Sequence, residues 1–121
     1  MLNRYETAFI LTPVLSEDQM KEAVNKYREM IDKFEGAKVI HEEKWGLRKL
    51  AYPIQKKSTG FYHLIEFEAD GSFINNFEIA FKRDERILRF LTIKLDKHSI
   101  AYNEKKRAAK EGITENASLK N

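Results

Sequence analysis

The sequence predicts an α+β fold in which four strands and two helices follow one another as strand, helix, strand, strand, helix, strand. Three observations carry this. Residues 4–12 and 60–68 alternate in side-chain character and are rich in aromatic and β-branched residues. Met20, Ala23, Val24, Tyr27, Ile31 and Phe34 fall at helical spacing on one stripe. A second stripe, Phe73, Ile74, Phe77, Ala80 and Phe81, precedes a last strand at residues 86–95. Two such units make the split βαβ, ferredoxin-like arrangement, a four-stranded antiparallel sheet with both helices on one face.

Pro13 ends the first strand, because it offers no N–H and fixes φ. Ser16-Glu17-Asp18-Gln19 then reads as a capping box with Ser16 as N-cap. Lys21, Glu22, Lys26, Glu29 and Lys33 oppose the apolar stripe, and Gly36 reads as the C-terminal cap. Residues 37–54 predict a long second strand whose alternation breaks at Trp45-Gly46, the mark of a bulge. Pro53 stands near its end, where a missing donor matters least. Residues 55–60 read as a polar turn before the third strand, and Asp70-Gly71-Ser72 as a turn into the second helix.

The sheet face away from the helices is expected to stay open. It cannot be wholly polar, since Tyr62 and Leu64 oppose Phe61, Ile65 and Phe67, and Leu88 and Phe90 oppose Ile87, Leu91 and Ile93. An uncovered apolar surface marks an interaction site; the alternative is that the C-terminal tail folds back over it. From Asp96 the apolar spacing collapses. The chain therefore divides into a domain at residues 1–96 and a basic, then flexible, tail at 97–121, with residues 114–121 expected to fray.

Composition narrows the function. The 121 residues contain no cysteine, which excludes disulfides, thiolate zinc sites and cysteine nucleophiles. Arg4 and Glu6 interrupt the N-terminal apolar run, so no signal peptide is expected. No apolar stretch approaches the roughly 20 residues that span a bilayer, so a soluble intracellular protein is expected. The net charge of +3 is unevenly spread: residues 1–81 hold 11 Lys/Arg against 13 Asp/Glu, and residues 82–110 hold 10 against 4. A basic stretch on a balanced domain suits a polyanion, as it also suits a solvated tail.

Catalytic chemistry is absent from the pattern. His41, His63 and His98 lack metal-ligand spacing, and Glu42-Glu43 and Glu66 with Glu68 read as solvated strand carboxylates. The glycines at 36, 46, 60, 71 and 112 form no phosphate cradle, and no serine stands in a nucleophile elbow. Acylphosphatases share the fold class, but Thr12-Pro13-Val14-Leu15 supplies neither the glycine-rich loop nor the arginine they place after the first strand. No enzyme, cofactor, metal or small-molecule substrate is expected.

The basic residues cluster in three places: Arg4 in the first strand; Arg48 and Lys49 in the second, near Tyr52; and Lys82, Arg83, Arg86 and Arg89 from the second helix into the fourth strand. Such cations suit an RNA backbone, and the rings of Tyr52 and Trp45 can stack an unpaired base. For Trp45, packing is the competing reading. Many RNA-recognition motif domains share the fold class, yet Thr59-Gly60-Phe61-Tyr62-His63 lacks their basic residue before the glycine and their aromatic platform. Binding is expected to rest on shape, phosphate contacts and a partner.

Trp45-Gly46-Leu47-Arg48-Lys49-Leu50-Ala51-Tyr52-Pro53-Ile54 resembles the signature of the sixth small-subunit ribosomal protein family of bacteria, and Arg4-Tyr5-Glu6 resembles that family's start. The resemblance spans residues 3 to about 98. It implies a non-catalytic, cytoplasmic protein of the ribosome that binds the central domain of small-subunit (16S) RNA jointly with the eighteenth small-subunit protein. Arg4, Arg48 and Lys49 match basic positions of the motif; Arg86 and Arg89 match only a generally basic fourth strand. Some members carry a long acidic tail, whereas this chain ends in Glu115-Asn116-Ala117-Ser118-Leu119-Lys120-Asn121.

Overall fold

A computed structural model describes the backbone of residues 2–120 and the side chains of residues 2–108. The elements are β1 (Leu2–Leu11), α1 (Glu17–Lys33), β2 (Lys38–Ile54), β3 (Lys57–Asp70), α2 (Ser72–Arg83), β4 (Ile87–Leu95) and α3 (Lys97–Lys120). The strands form one antiparallel sheet in the order β2-β3-β1-β4. The expected ferredoxin-like order is present, with a third helix added.

The α1 boundary follows its local chemistry. Ser16 accepts from the Gln19 N–H at 3.2 Å and the Gln19 side chain accepts from the Ser16 N–H at 2.9 Å, closing the expected capping box. The helix stops earlier than expected: Phe34 is the C-cap, and Gly36, at φ +83°, turns the chain into β2 instead. Met20, Ala23, Val24, Tyr27 and Ile31 are buried, and each large side chain removed from water contributes about 1.5–3 kcal/mol.

The core lies between the helices and one sheet face. Tyr5, Phe9 and Leu11 of β1 and Ile65 and Phe67 of β3 meet Phe73, Phe77 and Phe81 of α2. Tyr27 and Phe81 stack at its centre, with ring centroids 3.9 Å apart and planes 5° from parallel. Thr7 and Thr92, on neighbouring strands, share a hydrogen bond of 2.8 Å, which satisfies two polar groups among apolar neighbours.

Two expectations about the strands change. Gln55 and Lys56 form a two-residue turn with φ +50° and +65°, so β3 begins at Lys57, not at Gly60. In β4 the register shifts beside Ile10 and Leu11, which pair with Arg89 and Ile87 and leave Leu88 as the extra residue. The bulge turns Ile87 into the core cluster together with Phe90, instead of opposing it.

The second sheet face is only partly open. α3 runs across it, capped by Asp96, whose carboxylate accepts from the Ser99 N–H at 2.7 Å. Leu64, Glu66 and Leu95, all on this face, are buried, whereas Leu91 and Ile93 remain 63% and 44% exposed. The fraying expected at residues 114–121 lies outside the described side chains.

Candidate nucleic-acid interface

Strand register sorts the eight basic and aromatic candidates by position. Leu11 of β1 faces Phe61 of β3 and Ile87 of β4, and Arg48 of β2 faces Gly60. One end of the sheet therefore carries the β2–β3 hairpin, the start of β4 and the end of α2. Arg48, Lys49, Tyr52, Lys82, Arg83, Arg86 and Arg89 all belong to this end. Arg4 pairs with Glu68 and Leu95 at the opposite end.

The two ends treat their cations differently. Arg48, Lys49, Lys82, Arg83 and Arg89 are exposed, and among the described residues no carboxylate pairs with them. Arg48 donates to the Trp45 carbonyl at 3.3 Å, and Arg89 donates to the Tyr52 hydroxyl at 3.0 Å. The second contact joins the hairpin to β4 across the open face, with Tyr52 still 61% exposed. Its hydrogen bond with Tyr52 holds the Arg89 guanidinium above its ordinary pKa, so it stays charged.

Arg86 is different. It grips both oxygens of Asp84, each at 2.9 Å, and Asp84 also accepts from the Tyr27 hydroxyl at 2.6 Å. Burial opposes the Asp84 charge, yet the bonds from Arg86 and Tyr27 overcome it and hold the carboxyl down at about 2. Arg86 thus serves the junction of α1, α2 and β4. Arg4 is committed likewise: it donates to Glu66 at 2.8 Å, and Arg107 of α3 bonds the other Glu66 oxygen. Burial works against the Glu66 charge, and the two arginines still keep its carboxyl below the ordinary value.

Glu66 is fully buried, not a solvated surface carboxylate, because α3 closes over it. Glu42 also departs from the surface reading. It accepts from Arg28 and shares a 2.7 Å hydrogen bond with His63. Burial pushes the His63 imidazolium down, and Glu42 only partly offsets this. Neither contact has a sequence signal, since both join segments far apart in the chain. Trp45 is 43% exposed and stacks on Tyr62, with centroids 6.2 Å apart and planes 13° from parallel, while its indole N–H donates to Glu43 at 3.2 Å. Among the described residues no group of three or more His, Asp or Glu is placed to hold a metal ion, and no helix is long and apolar enough to cross a membrane.

A sequence profile of the family described as Ribosomal protein S6 matches residues 4–94. The chain belongs to that family. Proteins named small ribosomal subunit protein bS6 are similar to it along nearly their whole length. The one from Bacteroides thetaiotaomicron is 60% identical over 109 residues, covering 90% of this chain and 95% of its own. The one from Parabacteroides distasonis is 56% identical over 118 residues, covering 95% and 99%. The crystal structure of 30S ribosomal protein S6 from Thermotoga maritima matches with a TM-score of 0.76 at 27% identity, covering 91% of this chain and 99% of that one. As a member of the S6 family the chain is a structural, non-enzymatic protein of the ribosome, and so of the bacterial cytoplasm. The fourth-strand and hairpin cations of this family member lie within the matched segment, and all of α3 lies beyond it.

Proposed function

We propose that this protein is a structural constituent of the small ribosomal subunit that binds 16S ribosomal RNA together with the eighteenth small-subunit protein. The observation that carries the RNA half is the gathering of exposed cations, Arg48, Lys49, Lys82, Arg83 and Arg89, at one end of the sheet, with no carboxylate partner among the described residues. A polyphosphate backbone needs cations that are not already neutralised, and each contact releases counterions. Tyr52, held beside Arg89 with its ring exposed, offers a stacking surface for an unpaired base. Arg4 and Arg86 are assigned to the fold, because their charges are met by Glu66 and Asp84.

The protein half rests on the apolar remainder of the open face. Leu91 and Ile93 are exposed there beside a modest net charge, which suits a protein pair better than a lone RNA binder. The test is binding to a central-domain fragment of 16S RNA over a salt series, with and without the eighteenth protein. The expected result is affinity that falls with salt and rises when the partner is present. Absence of salt-dependent binding in both conditions would refute the proposal. A partner retained after nuclease treatment, with no RNA affinity, would favour a protein-interaction module in its place.

A further inference from the structure

A cavity of about 350 Å³ lies between α1 and the β2–β3 hairpin. Its walls are apolar: Leu11 from β1, Met20 and Val24 from α1, and Phe61 from β3. Its rim is basic. Lys21 is exposed on α1, 3.8 Å from the Glu17 carboxylate one turn before it, and Lys44 is exposed on β2 with no carboxylate partner among the described residues. The mouth stays open at Gly46, where the β2 register shifts and φ is +78°; a Cβ placed there meets nothing within 4 Å. Behind the walls, Glu42 holds Arg28 and His63, so the polar groups at the back are satisfied by one another.

The cavity opens where the interface lies. Gly46 stands two residues before Arg48 on the same strand, and Leu11 and Phe61 are the register pair at the cationic end of the sheet. An apolar slot with a cationic mouth matches a ligand that is flat and weakly polar on its faces and anionic at one end. A nucleotide has that form, and its base fits the volume. An apolar side chain of a partner protein would use the slot but leave Lys44, which has no carboxylate partner among the described residues, without a counter-charge.

We propose that this cavity receives one unstacked nucleotide of the bound RNA, its base against Met20, Val24 and Phe61 and its phosphate between Lys21 and Lys44. This rests on the RNA-binding reading above and adds to it a base-holding site on the helical side of the sheet. Splaying a base from a single strand onto an apolar or aromatic surface is a common mode of RNA recognition.

Methyl NMR of the full chain tests it, with uridine and adenosine 5′-monophosphate as probes and then the central-domain RNA fragment. The expected result is shifts of the Met20, Val24 and Leu11 methyls with either mononucleotide and with RNA. Val24→Phe, which fills the slot, should abolish those shifts. Lys44→Glu, at an exposed position, should weaken RNA binding about tenfold with an unchanged melting temperature, the scale of one charge-assisted contact. Methyls that stay still while RNA binds would overturn the cavity proposal and leave the wider reading intact. Methyls that move only when the partner protein is added would overturn it in favour of protein docking. Methyls that move with mononucleotides while the RNA fragment fails to bind would support the cavity and refute the wider reading.

Discussion

Asp84 shows how one residue ties a fold to its protonation state. Its carboxylate, nearly buried, joins Tyr27 of α1 to Arg86 at the entry to β4. Its folded pKa is about 2 against an ordinary 3.8, so its contribution is complete above the ordinary value and is lost as pH falls through 3.8 toward 2. Asp84→Asn should flatten the loss of stability over that window, by on the order of 1 kcal/mol once solvent screening is allowed for, as read by denaturant midpoints across pH. Gly60 is constrained differently. A Cβ there would stand 2.3 Å from Cγ2 of Ile10, a β-branched strand residue with little room to turn. Gly60→Ala should destabilise the domain by about 2 kcal/mol, measured by thermal unfolding. At this scale little of the structure is legible in the sequence. Glu66 and Glu42 look like ordinary strand carboxylates until the sheet brings Arg4 and His63 beside them and α3 brings Arg107.

Among the elements, those with local signals were the readable ones. The α1 start follows from Ser16 and Gln19, and its buried face from spacing alone. The β2–β3 turn is legible as a polar stretch at residues 55–60, but its two-residue length is not, because Gln55-Lys56 carries no glycine or asparagine although both residues adopt positive φ. Asparagine and glycine suit these conformations better, so Gln55→Asn with Lys56→Gly should raise stability by about 1 kcal/mol in denaturant titration. α3 was missed because a helix lying across a sheet by a few polar contacts has no apolar stripe to betray it. Its signals were weaker ones, the Asp96 cap and a run of good helix formers from Glu104 to Ala108. The bulge at Leu88 was also hidden, since Ile87 and Phe90 both turn inward although three residues apart, which breaks the alternation on which strand phase is read.

Over the whole molecule, the order of elements was legible because each strand and each of the first two helices announces itself, and two βα units close in one economical way. The candidate site was legible as a set of residue types but not as a place. Sequence clusters separate Arg48 and Lys49 from Lys82, Arg83 and Arg89, and only the strand register brings them to one end. The same register takes Arg4 to the other end, where Glu66 claims it. Charge at the surface and charge within the fold are thus divided between arginines that composition cannot tell apart.

That division is the central claim, and the salt dependence of RNA affinity tests it most directly. The quantity to measure is the slope of log affinity against log salt for a central-domain 16S fragment with the partner protein present, compared between wild type, Arg48→Ala and Arg4→Met. The account predicts that Arg48→Ala weakens binding by about 1 kcal/mol, lowers the slope by about 0.7–0.9 and leaves the melting temperature unchanged. It predicts that Arg4→Met lowers the melting temperature and leaves the slope as in wild type. A slope that falls for Arg4→Met and holds for Arg48→Ala would contradict it.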